Sequence, residues 1–202
     1  MAETAGPTLV ELRVLDGANL YFPRPAIKLT LDVPELLSLP EERAGAVAAE
    51  VDLTAGSPGQ PGGEQRRRFA TRLLAHLVRR TAAAAGVRAL AVRSRPGPEP
   101  TQVVVAFPWR RRHAAEALGR AVAELAATID APGLDERVAR RGAALRDVEP
   151  GPGPSLPVPR VPTVAVTGTN GKTTVTRLIA HIGRCAGLQV GWSNTDGIYL
   201  DG

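Results

Sequence analysis

Aromatic side chains are scarce in this sequence: three Phe, two Tyr and two Trp among 202 residues, 3% in all. Any core must therefore be built from Ala, Val, Leu and Ile, and the shortage of rings argues against a protein that stacks single-stranded nucleic acid on aromatic platforms. Cysteine occurs once, at Cys185, so no disulfide can form within the chain. No run approaches the roughly 20 consecutive apolar residues of a membrane-spanning helix. The opening stretch, MAETAGPTLVELRVLDG, has acids at Glu3 and Glu11 where a secretory signal would be basic and then apolar. These absences point to a reducing cytoplasm and to no membrane. Lysine is nearly missing as well. Of 25 basic residues only Lys28 and Lys172 are lysines, and the rest are arginine. With 20 acids the net charge is +5 and the pI about 10.3, which leaves a polyanionic partner open without requiring one.

What is present is punctuation and periodicity. Glu149 to Pro162, EPGPGPSLPVPRVP, contains six prolines and two glycines and denies the backbone both helix and ladder hydrogen bonds; it reads as a semi-extended interdomain linker. A second Gly/Pro patch, Ala55 to Gly63, has periodic segments on both sides and reads as a loop within one domain. Ahead of the linker, Leu9–Leu15 and Ala26–Val33 alternate as strands. Glu64–Ala85 is expected as a helix, Val87–Val92 and Gln102–Phe107 as strands, and Leu134–Val148 as a further helix. Arg112–Ile129 carries Ala115, Leu118, Val122, Leu125 and Ile129 at alternating spacings of three and four, an amphipathic helix. The order ββαββα predicts helices on one face of a mainly antiparallel sheet. After the linker, Thr163–Thr167, Thr173–Ala186 and Leu188–Trp192 are expected as strand, helix and strand. The fold class is therefore α/β: a two-layer α/β N-terminal domain over residues 1–148, a Pro/Gly linker over 149–162, and over 163–202 the first βαβ unit of a P-loop parallel-sheet domain. Because one such unit leaves both edges of its sheet open, the chain is read as a fragment cut early in its second domain.

The residues between that strand and helix carry the chemistry. Thr167-Gly168-Thr169-Asn170-Gly171-Lys172-Thr173-Thr174 has the composition of a loop that wraps a triphosphate. Gly168 and Gly171 let the backbone approach phosphate oxygens with successive N–H groups, and the helix that follows adds the positive end of its dipole. The candidate nucleotide-binding set is Gly168, Thr169, Asn170, Gly171, Lys172, Thr173 and Thr174. Lys172 is the candidate catalytic residue, bridging β- and γ-phosphates, and Thr173 holds the hydroxyl position that ligates Mg²⁺. A lysine here, in a chain that otherwise uses arginine, fits the need for a compact ammonium inside the loop. The general phosphate-loop pattern would place its first glycine at Val166, and that departure argues against an ordinary P-loop kinase or GTPase.

The short form TGTNGKTT after a Val-rich strand resembles the Mur ligase family, which includes folylpolyglutamate synthetase and cyanophycin synthetase. Thr176-Arg177-Leu178-Ile179-Ala180-His181 and Asn194-Thr195-Asp196-Gly197-Ile198-Tyr199 are similar to the cyanophycin synthetase branch, where the loop helix leads to a T-D-G-I-Y segment. At the front, Leu15-Asp16-Gly17-Ala18-Asn19-Leu20-Tyr21 resembles the L-R-G-P-N-x-W start of that branch, with Asp16 and Ala18 in place of its Arg and Pro. In cyanophycin synthetase an ATP-grasp domain separates the two parts; here only the proline linker does. The resemblance implies an ATP- and Mg²⁺-dependent amide-bond ligase that activates a carboxylate as an acyl phosphate for capture by an amine. Its substrates would be amino-acid or peptide-like. It also implies that the remaining catalytic residues lie beyond Gly202, so that these 202 residues alone are expected to be inactive.

Other readings stay open at this point. The N-terminal domain could grip an acidic polymer, or less readily a nucleic acid, with the loop as an ATP-dependent switch, and a homo-oligomer is compatible with the sequence. Arg66-Arg67-Arg68 and Arg110-Arg111-Arg112-His113 are candidates for such binding, with solvated helix faces as the alternative. His76, His113 and His181 have no metal-ligand spacing. Cys185 is expected to pack, and Asp196 is either a ligand-side acid or part of a plain D-G turn.

Overall fold

A computed structural model describes residues 8–54, 56–155 and 160–201. The chain divides into two compact units, Met1–Leu156 and Pro157–Gly202.

In the first unit, strands β1 (Thr8–Leu15) and β2 (Ala26–Asp32) pair antiparallel. Two short helices follow, α1 (Pro34–Ser38) and α2 (Glu41–Glu50), then the long α3 (Glu64–Ala84). Strands β3 (Arg93–Pro96) and β4 (Gln102–Pro108) and helices α4 (Arg112–Ala127) and α5 (Leu134–Leu145) complete it. The sheet is antiparallel throughout, in the order β1-β2-β4-β3. Ile27, Leu29 and Leu31 of β2 and Val103, Val105 and Phe107 of β4 point to one face, where Phe69, Leu73 and Leu77 of α3 and Leu118, Val122 and Leu125 of α4 close the main core. Helix α4 comes so near that a side chain at Gly119 would meet Leu29 Cδ2 at 3.0 Å and Leu12 Cδ1 at 3.1 Å. The opposite face is covered more thinly by Tyr21 and Phe22, packed with Ala26, Val104 and Ala106. This is the two-layer α/β arrangement that the periodicities predict.

Three local readings change. The expected strand Val87–Val92 is not one; the strand begins at Arg93 instead. The cause is the end of α3, where Gly86 at φ 95° lets Val87 N–H close back on the Ala82 carbonyl at 2.8 Å, so the next residues serve as a connection. Helices α1 and α2 were not anticipated between the second strand and the Gly/Pro patch. Their signals are a proline at the start of α1 and the buried Ala44, Val47, Ala48 and Val51 at helical spacing. Arg66, expected among the outward-facing arginines, is fully buried. Its Nε donates to the Pro58 carbonyl at 3.2 Å, Nη2 to Gly59 at 2.8 Å, and Nη1 to the carbonyls of Leu36 and Leu39. Four of the five donors in its plane tie the end of α1 to the Gly/Pro loop.

The second unit holds α6 (Lys172–Cys185) and a hairpin of β5 (Gly191–Asn194) and β6 (Gly197–Leu200). Here the structure departs from the expected βαβ: residues 163–167 are not a strand, 188–190 lie outside β5, and the strand pairing is antiparallel. Local turn chemistry accounts for the hairpin. The Asn194 side-chain oxygen accepts from the N–H groups of Asp196 at 2.8 Å and Gly197 at 3.2 Å, and Trp192 stacks on Tyr199 with ring centroids 5.1 Å apart. Closing so short a loop costs little chain entropy. Among the described residues the unit has little core: Ala180 is buried on α6, while Val175, Leu178, Ile179 and Ile182 are exposed. Limited trypsin digestion of the 202-residue protein is accordingly expected to remove this unit first, through cleavage at the exposed Arg160, Arg177 and Arg184, and to leave a resistant fragment of the first unit on mass analysis. A second unit that resists as long as the first would contradict that reading.

Candidate functional site

Bends at Gly168, Thr169 and Asn170 lead to Gly171, which precedes α6 in the left-handed conformation at φ 77°. A Cβ on Gly171 would meet nothing within 4 Å, so glycine is demanded there by the torsion and not by space. Gly168 stands at φ 151°, again in glycine's region. Val175 N–H donates to the Gly171 carbonyl at 2.9 Å, which starts the helix and leaves the N–H groups of Lys172, Thr173 and Thr174 outside the helical ladder. No side chain caps this end, and its first turn holds no acid. A free helix N-terminus with no negative charge on it is an anion-attracting surface.

Lys172 opens the helix, and its Nζ donates to the carbonyls of Gly168 at 2.6 Å and Thr169 at 3.2 Å. The ammonium is thereby drawn back over the loop instead of extending into solvent. Thr173 is half-buried, whereas Thr169, Asn170 and Thr174 are exposed. All seven residues of the candidate set thus lie on one loop and the helical turn it feeds. Asp196 serves the D-G turn and also forms an ion pair with Arg177 at 3.0 Å, joining the hairpin to the middle of α6. Among the described residues no group of three or more His, Cys, Asp and Glu side chains is placed to hold a metal ion. Among the described residues no helix is long and apolar enough to cross a membrane.

The remaining candidates separate. Cys185 is exposed, contrary to the packing role expected of it, because this unit buries so little; its Sγ lies 3.6 Å from Nε2 of His181 one helical turn away. His76 Nε2 sits 2.6 Å from the Val51 carbonyl, a structural contact. Arg68 pairs with Glu64 and Arg112 with Glu116 along their own helices. His113 lies 2.7 Å from Glu149. That hydrogen bond, helped by the Gly151 N–H and the nearby Arg111 charge, holds the Glu149 carboxyl below the usual carboxylate range. Arg112 and Ala114 N–H groups donate to the carbonyls of Pro152 and Pro150, so the first residues of the proline segment are strapped across the start of α4.

No protein-family profile matches the chain. Individual relatives do, over short segments. A stretch of 41 residues, 20% of the chain, is 68% identical to a cyanophycin synthetase of Geminocystis herdmanii and covers 5% of it. A stretch of 48 residues, 24% of the chain, is 58% identical to the cyanophycin synthetase of Synechocystis sp. and covers 6%. A stretch of 31 residues, 15% of the chain, is 61% identical to the UDP-N-acetylmuramoylalanine–D-glutamate ligase of Baumannia cicadellinicola and covers 7%. The matched part spans about a twentieth of the cyanophycin synthetases' length. The likeness to the Mur ligase family, and to its cyanophycin synthetase branch, is thus local and high in identity.

Proposed function

We propose that the segment from Thr163 onward opens the ATP-binding domain of a Mur-type ligase, and that residues 1–148 form an accessory α/β domain joined to it by the segment 149–162. The observation that carries this reading is the TGTNGKTT loop itself, an exposed backbone cradle seated on an uncapped, acid-free helix N-terminus with Lys172 folded over it. The residues suit a nucleotide triphosphate and Mg²⁺. Gly168 and Gly171 keep the cradle clear of side chains, and the N–H groups of Lys172, Thr173 and Thr174 are unspent by the helix. Lys172 would neutralise the terminal phosphates, and the Thr173 hydroxyl would hold the metal. ATP, when bound, supplies the phosphoryl group that activates a substrate carboxylate as an acyl phosphate, which an amine then captures. This chain's residues bind and orient that phosphate chain and screen its charge with fixed backbone dipoles.

Calorimetric titration of the protein with ATP tests the reading. Binding is expected to require Mg²⁺ and to change little between about 50 and about 200 mM salt, whereas a module gripping a polyanion would lose affinity steeply over that range. Binding indifferent to Mg²⁺ and abolished by salt would favour the switch-like binding module instead.

A further inference from the structure

The sheet face opposite α3 and α4 is unusually rich in cations. The pairing register sets Arg13, Lys28, Ala106 and Arg93 in one row across the four strands and Glu11, Thr30, Val104 and Arg95 in the next. Lys28 is neutralised by Glu11 at 2.5 Å. Arg93 and Arg95 lie over the buried rings of Phe22 and Tyr21, 5.1 and 5.7 Å from their centroids, and Arg95 also donates to the Tyr21 hydroxyl at 3.2 Å. Stacking of this kind fixes a guanidinium plane while leaving its edge free to donate.

At the β3 edge this face runs into an open cleft of about 550 Å³, lined by Phe22, Arg24, Arg79, Val92 and Arg93 among others. The arginines come from three different elements: the loop after β1, the helix α3, and the strand β3. Arg79 is held by donation of its Nη2 to the Val92 carbonyl at 3.1 Å. No acid lines the cleft, and among the described residues none of the three arginines has a carboxylate within 4.0 Å. Three like charges gathered around one concavity repel one another, and an anion placed among them relieves that repulsion while its oxygens take up the guanidinium donors. The volume lies within the roughly 300–1,000 Å³ of small-molecule sites. The rings of Tyr21 and Phe22 are covered by arginines and are not open to stacking bases.

We propose that this cleft binds a small ligand carrying two or more oxyanion groups, phosphates or carboxylates, through Arg24, Arg79 and Arg93. The site belongs to the first unit and does not depend on the loop at Lys172. The test is calorimetric titration of the 202-residue protein with pyrophosphate and, separately, with citrate, both without Mg²⁺. Each of Arg24→Gln and Arg93→Gln, made in a Lys172→Ala background so that the loop's ammonium takes no part, is expected to weaken binding about tenfold, the effect of removing one charged hydrogen-bond donor. Binding of pyrophosphate alone assigns a phosphate ligand, citrate alone a carboxylate ligand, and both together the shared oxyanion chemistry. Arg67→Gln/Arg72→Gln, on exposed α3 positions outside the cleft lining, removes two positive charges elsewhere. Equal weakening by that double variant, or no binding of either probe by the wild type, overturns the proposal.

Discussion

In the Mur-type ligase proposed above, replacement of Lys172 by alanine is expected to abolish ATP-dependent ligation while leaving the fold unchanged. The side chain is exposed and makes hydrogen bonds to the loop carbonyls of Gly168 and Thr169, so its loss opens no cavity and strands no buried charge. What disappears is the Lys172 ammonium at the mouth of the loop, and with it the charge proposed to stabilise a transferring phosphoryl group. Removal of one such group from a preorganised site costs roughly 10²–10³-fold in kcat. Arg in its place is expected to rescue little, because a planar fork does not fit where the loop wraps a compact ammonium. Product formation and ADP release, measured beside circular dichroism, check both halves of the expectation. Ligation retained at near wild-type rate by Lys172→Ala would remove the loop from the mechanism.

Replacement of Arg66 by alanine is expected to unfold or severely destabilise the first unit, by about 3 kcal/mol or more. Here the argument is the reverse of that for Lys172. Arg66 is fully buried, burial draws its pKa below the usual arginine value, and its hydrogen bonds all run to backbone carbonyls: Leu36, Leu39, Pro58 and Gly59. Alanine leaves those carbonyls buried and unpaired, each a desolvation cost of about 1–3 kcal/mol where water cannot enter. Small domains have only about 5–15 kcal/mol to lose. Lysine is expected to recover part of the loss, since its three donors radiate from one nitrogen and cannot span carbonyls on two segments as a fork does. A urea titration should show the midpoint falling with the slope preserved. An Arg66→Ala protein with an unchanged midpoint would mean that these bonds contribute nothing net.

Much of this protein was legible in its residues. The strands at Ala26 and Gln102 and the helices at Glu64 and Arg112 begin within a residue of their expected positions, because half-buried strands and amphipathic helices write their periods directly into the order of apolar residues. The loop TGTNGKTT announced itself through torsional demands that only glycine meets and through a lysine where every neighbouring need was met by arginine. Local chemistry of this kind requires no knowledge of the rest of the chain.

Other features were decided only in three dimensions. Arg66 stands in a run of three arginines that look alike in sequence; which of them is buried depends on where the ends of α1 and the Gly/Pro loop come to rest, and that is a tertiary fact. The arginines of the oxyanion cleft are 24, 79 and 93 in sequence, and only the antiparallel register and the lie of α3 bring them to one concavity. The hairpin after α6 shows the same division. The alternation around Trp192 signals a strand, but its direction and partner are set by whichever neighbour can be reached, and an Asn-capped four-residue turn is reached at far smaller entropic cost than a parallel partner across a helix. The sequence by itself determined the apolar periods behind the strands at Ala26 and Gln102 and the helices at Glu64 and Arg112, and it singled out the loop proposed to hold phosphate. The tertiary structure decided which charges are buried, which converge and which strands pair, because those outcomes depend on distances between residues far apart along the chain.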